Sequence, residues 1–426
     1  MKYIQRATDA QLRRKLDVFG GTLIVGPKGC GKTTSAKQFA KSVVEFQDED
    51  QRDNLLLIAQ TKPSDLLEGE KPRLFDEWQD APKIWGAIRK DIDDNHLTGA
   101  YILTGSTSSK VKTPHTGTMR ISKMKMYPMS LYESGESNGK VSLTELFDHP
   151  DDFDGCQSKL TIDDIKHAIC RGGWPRSLQI RDKKRSLDVA RDLLVQTCEE
   201  DISNIDDVKR NPAWAMAIIK SYARVLCSPA SSRTIFGDVA SNCEMSIESF
   251  YEYIEALRKL FIVEDIEAWN PAIRSKTAIR SKAKRNLIDP SIGAAALGIT
   301  PEFFKHDYKT LGFLFESMVI RDLKVYSSSS FGGLSYYRDR YGLEADAVLH
   351  LQDGRYALIE IKLGQNQVDE GAEHLTEIER LITKYNETEH QVPLRMPDLK
   401  IVITGTEYGY KREDGVLVIP IGCLKD

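Results

Sequence analysis

Eight consecutive residues, Gly26, Pro27, Lys28, Gly29, Cys30, Gly31, Lys32 and Thr33, have the types and order of a phosphate-binding loop. Its glycines let backbone N–H groups turn toward phosphate oxygens, Lys32 aims a positive charge at the β- and γ-phosphates, and the Thr33 hydroxyl can ligate Mg2+. With Thr34 the expected nucleotide-contacting run is complete. Hydrolysis also needs a carboxylate near the metal and a base for the attacking water. Asp76 and Glu77, at the end of an apolar run, supply both: Asp76 for Mg2+ and Glu77 for water. Thr104 or Ser106, at the end of another apolar run, could sense the γ-phosphate, with turn chemistry as the plain alternative for either.

A second constellation lies far along the chain. Asp346 and the trio Glu360, Ile361, Lys362 fall on consecutive expected strands, and alternation puts Glu360 and Lys362 on one face. Two carboxylates, Asp346 and Glu360, could hold Mg2+ or Mn2+ while the Lys362 ammonium polarises water or steadies phosphate charge. Glu316, on the preceding expected helix, is a fourth polar contributor. Acids and lysines on strand faces are also commonplace without any chemistry, so a silent fold of the same shape is the rival expectation.

These residues need elements to place them. Residues 22–25 read as a buried strand before the loop, and Ala36, Phe39, Ala40, Val43 and Val44 recur at helical spacing after it. Further strands are expected at 55–59, 73–77, 100–106 and 122–127, with a crossover helix carrying Ile84, Ile88 and Ile92. Alternating strands and helices mean a parallel sheet with ligand at the carboxyl ends of its strands. The polar, acidic stretch 132–160 reads as a mobile connection, and 161–260 as helical. Two helices across a short turn, then strands at 261–263 and 286–288, make a winged-helix pattern. Arg274, Lys276, Arg280, Lys282, Lys284 and Arg285 crowd its wing without an acid among them, a patch suited to a nucleic-acid backbone. The neighbouring helix exposes Glu248, Glu252 and Glu255, which disfavours groove reading and leaves docking of other proteins as the alternative.

The 426 residues are 41% apolar and 29% charged with a formal net charge of −4, so any nucleic-acid contact must come from local patches. Seven cysteines without a C-x-x-C pair fit a reduced, cytoplasmic protein without structural zinc. Neither a signal-like N-terminus nor a membrane-length apolar run appears, so no membrane partner is expected.

The order of phosphate loop, Asp76-Glu77, polar strand end and then Thr116-Gly117-Thr118-Met119-Arg120 resembles AAA+ ATPases. Residues 72–79, 103–106 and Gly172-Gly173-Trp174-Pro175 further resemble the prokaryotic AAA+ family with a C-terminal PD-(D/E)xK nuclease-like domain, the archaeal-type ATPase superfamily. The resemblance covers nearly the whole chain. It implies that Arg120 serves as a finger toward a neighbouring subunit or as an internal sensor, and that Pro175, with Gly173 and Trp174, lies near the adenine. Phe75 departs from the family, which has an aliphatic residue there. The expected fold is α/β: a P-loop AAA+ parallel-sheet domain (1–130), a helical lid (131–205), a winged-helix region (206–305) and a C-terminal α+β restriction-endonuclease-like domain (306–426). The expected activity is ATP hydrolysis coupled to Mg-dependent action on DNA or RNA, in a possible homo-oligomer serving defence or mobile-element functions. A nucleotide-switched scaffold is the alternative. Lys32→Ala removes the loop's charge on the terminal phosphates, so tight ATP binding should vanish in calorimetry; wild-type affinity would overturn the assignment of the loop.

Overall fold

A computed structural model describes residues 3–106, 117–206, 208–271, 281–328, 332–387 and 393–426. Its first sheet has five parallel strands: β1 (Gly21–Val25), β2 (Ser42–Glu45), β3 (Arg73–Asp76), β4 (Tyr101–Gly105) and β5 (Ile121–Lys125), in the order β2-β3-β4-β1-β5. β1 is buried at every position, as its apolar, β-branched sequence requires. The crossover helix Lys83–Asn95 packs Ile84, Ile88 and Ile92 into the core. Phe75 fills its buried place by stacking on Phe46, ring centroids 6.3 Å apart.

Two neighbouring expectations exchange places. The helix after the phosphate loop ends at Lys37, and Val43 and Val44 lie in β2, opposite Leu74 and Phe75 of β3. β-Branched side chains are stiff at χ1 and suit the pleated surface, which outweighs their helical spacing. Conversely, residues 55–59 are no strand. They belong to the helix Arg52–Thr61, where Ala59 is buried and Leu57 is 60% exposed. Leucine is a strong helix former, and a short apolar run has no period of its own to decide between the two.

The acidic stretch after residue 131 is not a free connection. It contributes β6 (Val141–Ser142) and β7 (Cys156–Gln157), both of which pair with the C-terminal region. That region contains β8 (Gly333–Arg338), β9 (Glu344–His350), β10 (Tyr356–Lys362), β11 (Leu399–Thr404), β12 (Tyr408–Lys411), β13 (Leu417–Pro420) and β14 (Leu424–Lys425). A mixed seven-stranded sheet runs β7-β12-β13-β11-β10-β9-β8, and β6 pairs with β14. The helices Tyr308–Ser327 and Val368–Glu387 supply much of the apolar packing around its central strands.

The helices after β7 include Ile162–Arg171, Pro212–Arg224, Ser232–Ala240 and Ile247–Lys259, the last three capped by the side chains of Asn211, Ser231 and Ser246. After them, Val263 bridges Leu287 and Ile266 bridges Lys284 in antiparallel fashion, while Ala268 bridges Tyr336 of β8. This ribbon therefore covers the exposed edge of the C-terminal sheet, where unpaired backbone groups would otherwise invite association.

A buried ionic node ties the parts together. Arg321 donates to Asp289 at 2.9 Å and to Asp322 at 2.7 Å, and all three are at most 2% exposed. Asp322 also accepts from the Leu131 backbone N–H and Asp289 from that of Gly173. Arg321→Met should lower unfolding free energy by about 3–5 kcal/mol, because two carboxylates stay buried without their cation. Denaturant unfolding checks this; a loss below about 1 kcal/mol would show that the node is not holding these segments.

Candidate functional site

The phosphate loop occupies the carboxyl edge of the first sheet, in the crevice formed where β1 and β4 are neighbours. Gly29 (φ 75°) and Gly31 (φ 102°) adopt left-handed backbone that other residues resist, and the space beside Gly29 is open. A β-carbon at Gly26 would lie 2.2 Å from the Met126 carbonyl oxygen, so the loop can pass there only without a side chain. Gly31 caps the short helix Lys32–Lys37, whose N-terminal N–H groups face the loop. The buried Lys32 ammonium donates to the Gly26 and Pro27 carbonyls at 3.0 Å each, within the loop's own curve.

Asp76 and Glu77 sit where the sequence puts them, and their surroundings divide their roles. The hydroxyls of Thr33 (2.7 Å) and Thr104 both donate to Asp76 Oδ1, a hydroxyl and carboxylate pair suited to Mg2+. Glu77 is held in left-handed backbone (φ 50°, ψ 50°), an uncommon conformation for a non-glycine residue. Its carboxylate accepts from the Ser106 hydroxyl at 3.0 Å, the Ser106 N–H at 3.2 Å and the Gln79 amide. Thr104 and Ser106 thus serve different acids, and Gln79 is a partner that sequence reasoning missed. Its place two residues after Glu77 was its only signal.

Several neighbours of the loop are also absent from the sequence-based set. Arg6, 4% exposed, donates to the Cys30 and Tyr127 carbonyls at 2.8 Å and pairs with Glu133 at 3.0 Å. Lys28 pairs with Asp201 at 2.5 Å, on the single π-helical turn Thr197–Asp201. Pro175 does border the loop, its Cγ 3.5 Å from where a Gly31 β-carbon would be. Trp174 turns away from it, 1% exposed, with its indole N–H on Ser291 at 2.9 Å.

Arg120 is elsewhere. β5 runs parallel to β1 with Ile121 opposite Gly21, so Arg120 lies at the amino edge of the sheet, about 13 Å of strand from the loop. There it pairs with Asp93 at 2.7 Å. A sensor role toward its own chain's nucleotide is therefore corrected. The geometry of a parallel sheet, with both strands entering from the same edge, is the reason.

In the C-terminal region Asp346 and Glu360 are brought together. Each lies one step beyond the last paired residues of β9 and β10, Ala347 and Ile359. The Ile361 N–H donates to Asp346 Oδ2 at 2.9 Å, and Lys362 pairs with Glu360 at 2.7 Å. Gly371 lets the helix Val368–Glu387 pass close over this pair, since a β-carbon there would meet Lys362 at 3.2 Å and Glu360 at 3.3 Å. His374, one turn on, faces Glu360 at 3.5 Å. Burial, reinforced by the charge of Asp346, pushes the Glu360 carboxyl up to about 8.

Glu316 joins Asp346 through a residue expected on the nucleic-acid patch. Lys284, 1% exposed, pairs with Glu316 at 2.9 Å, Glu344 at 2.7 Å and Asp346 at 3.2 Å. Burial alone would lower its pKa; the carboxylates of Glu316, Asp346 and Glu344 overcome this and hold it well above the usual lysine range. Burial pushes Glu316 up to about 8 against the pull of Lys284. Arg285 is likewise buried, bonded to Asp265 at 2.7 Å and to the Ala230 carbonyl. The basic wing is therefore corrected at both positions: these charges point inward because buried acids await them. Lys282 is exposed, and Arg274, Lys276 and Arg280 lie outside the described residues, as does Thr116. Arg338 is paired with Glu344 at 2.8 Å.

The two sites differ as metal sites. At the first, the open loop and the paired hydroxyl and carboxylate fit a nucleotide with Mg2+. At the second, both Asp346 oxygens are engaged by N–H groups, and an ammonium sits among the acids. Among the described residues, no three His, Cys, Asp or Glu side chains are set to hold a metal ion. The acids as arranged do not fit Mg2+ or Mn2+.

Comparison with known proteins bears on the same regions. Residues 20–135 match the family model of an AAA domain, and residues 162–302 and 311–424 match two domains of unknown function, DUF8612 and DUF4143. No curated protein matches the chain. Among solved structures it is similar to the Walker-type ATPase PABY2304 of Pyrococcus abyssi, with 12% identity and a TM-score of 0.42 over 69% of this chain and 96% of that one. Residues 20–135 form an AAA-type domain, and ATP binding and hydrolysis are the activities of that class. Among the described residues no helix is long and apolar enough to cross a membrane. Glu77→Gln should keep ATP bound and cut turnover by about 10²- to 10⁴-fold, since an amide holds a water without taking its proton. Steady-state hydrolysis near the wild-type rate would remove Glu77 from the chemistry.

Proposed function

We propose that this protein is an ATP-driven switch in which the phosphate-loop domain acts on a C-terminal restriction-endonuclease-like domain through the ribbon of the bridged segments 263–268 and 284–287. One observation carries this reading. The ribbon's Glu264 pairs with Lys125 at 2.7 Å and accepts from the Tyr127 hydroxyl at 2.9 Å, at the end of the strand beside β1, while its Lys284 lies among the acids of β9 and the helix Tyr308–Ser327. A single ribbon thus touches the strand next to the phosphate loop and the second constellation.

ATP would lie in the loop at Gly26–Thr34 with Pro175 near the base, and Mg2+ would be held by Thr33 and Asp76. Bound there, the metal supplies positive charge to the phosphates. Lys32 adds a second charge, leaving the loop carbonyls for phosphate oxygens. Glu77, steered by Ser106 and Gln79, accepts the proton of the attacking water. Arg120, which pairs with Asp93 at the far edge of the sheet, would act only on the nucleotide of a neighbouring copy, in a homo-oligomer.

The strand order of the C-terminal sheet and the Asp346, Glu360 and Lys362 arrangement favour a second reading, nucleolytic action on DNA or RNA. The engaged acids favour a docking domain in this conformation. Helices followed by the paired ribbon support a winged-helix region used for contacts within the protein.

Two experiments test the switch. In Glu77→Gln protein, ATP should change amide hydrogen exchange at 263–268 and 284–288, and the same addition to Lys32→Ala should not. Protection confined to the phosphate loop would rule out transmission through the ribbon. Mixing Arg120→Ala with Glu77→Gln should restore some hydrolysis in mixed oligomers, and no recovery would remove Arg120 from the neighbour's site.

A further inference from the structure

We infer that the Lys284 ammonium is the resident cation of the C-terminal acid cluster, standing where a divalent metal would bind, so that the folded protein carries no metal there. Three carboxylate oxygens from separate positions converge on one nitrogen: Glu316 Oε1 at 2.9 Å, Glu344 Oε1 at 2.7 Å and Asp346 Oδ1 at 3.2 Å. The Asp346 carbonyl is 3.4 Å away. These are hydrogen-bond lengths, whereas Mg2+ holds its oxygens at about 2.1 Å, so ammonium and metal cannot share the position.

Two further oxygens of the cluster have partners of their own: Asp346 Oδ2 accepts from the Ile361 N–H and Glu344 Oε2 pairs with Arg338, while Lys362 lies 2.7 Å from Glu360 Oε2. Nor can Lys284 readily leave. Its N–H and carbonyl both bond Ile266 at 2.9 Å, its side chain is 1% exposed, and its ammonium lies 5.5 Å from the centre of the Tyr336 ring. Withdrawing it means lifting the ribbon from the edge of β8. Lysine suits such a position as a compact point charge with three donors, one for each carboxylate.

The test uses full-length protein without nucleotide, so that the phosphate loop lacks the phosphates that would recruit metal. Mn2+ is titrated by calorimetry and by its electron paramagnetic resonance signal. Wild type and Asp346→Asn should behave alike, with no Asp346-dependent Mn2+ site. Lys284→Ala should gain one site that is lost again in Lys284→Ala/Asp346→Asn, and Mn2+ should raise its melting temperature but not that of wild type. An Asp346-dependent Mn2+ site in wild type overturns the inference, as does folded, ATP-binding Lys284→Ala that takes up no Mn2+. If Lys284→Ala fails to fold, the wild-type and Asp346→Asn comparison still decides. ATP binding is read separately, so failure here is distinct from failure of the proposed ATPase.

Discussion

A buried arginine between two buried aspartates holds four distant segments of this chain in one place. Arg321 belongs to the long helix of the C-terminal region, Asp289 caps the helix Pro290–Leu297, and the backbone groups of Leu131 and Gly173 complete the oxygens of the two acids. Desolvating three charges costs several kcal/mol per ion, a cost offset only when geometry and further hydrogen bonds are complete. Here they are, and one consequence is positional. Gly173 fixes the turn that sets Pro175 beside the phosphate loop, and Leu131 fixes the start of the stretch that feeds β6 and β7 into the C-terminal sheets.

Buried ionic contacts recur wherever parts of the molecule meet. Arg6 reaches from the N-terminal segment to the phosphate-loop carbonyl of Cys30 and to Glu133, so the loop is braced from behind by the same stretch that Asp322 anchors. Glu264 is shared between Lys125 and Lys324, which pull its carboxyl below the usual range against the desolvation that opposes them. Apolar packing supplies most of the cohesion, but it is non-directional. Charge pairs of this kind discriminate one relative placement from another, because a shifted interface would strand a buried charge.

The same logic separates the two chemical centres. Around the phosphate loop, the hydroxyls of Thr33, Thr104 and Ser106 contact the two acids, and hydroxyls can turn to accept or donate as a ligand arrives. Around Asp346 and Glu360 the partners are mainly cationic side chains and a backbone N–H. One centre has room for a ligand with charge of its own. The other has already satisfied its charge from within the chain.

The sequence alone determined the features that are local. Glycines at 26, 29 and 31, an apolar strand before them and a lysine after them leave the backbone one economical shape, so the phosphate loop, the place of Asp76 and Glu77 at a strand end and the shared face of Glu360 and Lys362 were legible residue by residue. Most elements of the C-terminal region were legible too, because their alternation and flanking turns are strong. Tertiary structure decided what depends on partners far away. Val43 and Val44 became a strand and residues 55–59 a helix because an edge beside β3 was available to one of them. Arg120 stands apart from its own chain's phosphate loop because parallel pairing put it at the amino edge of the sheet. Lys284, in a run of bases that looked solvent-facing, is separated by 62 positions from Asp346, and no local pattern encodes that meeting. A side chain's charge is written in the sequence, but whether water or a buried acid answers it is settled only when the chain closes on itself.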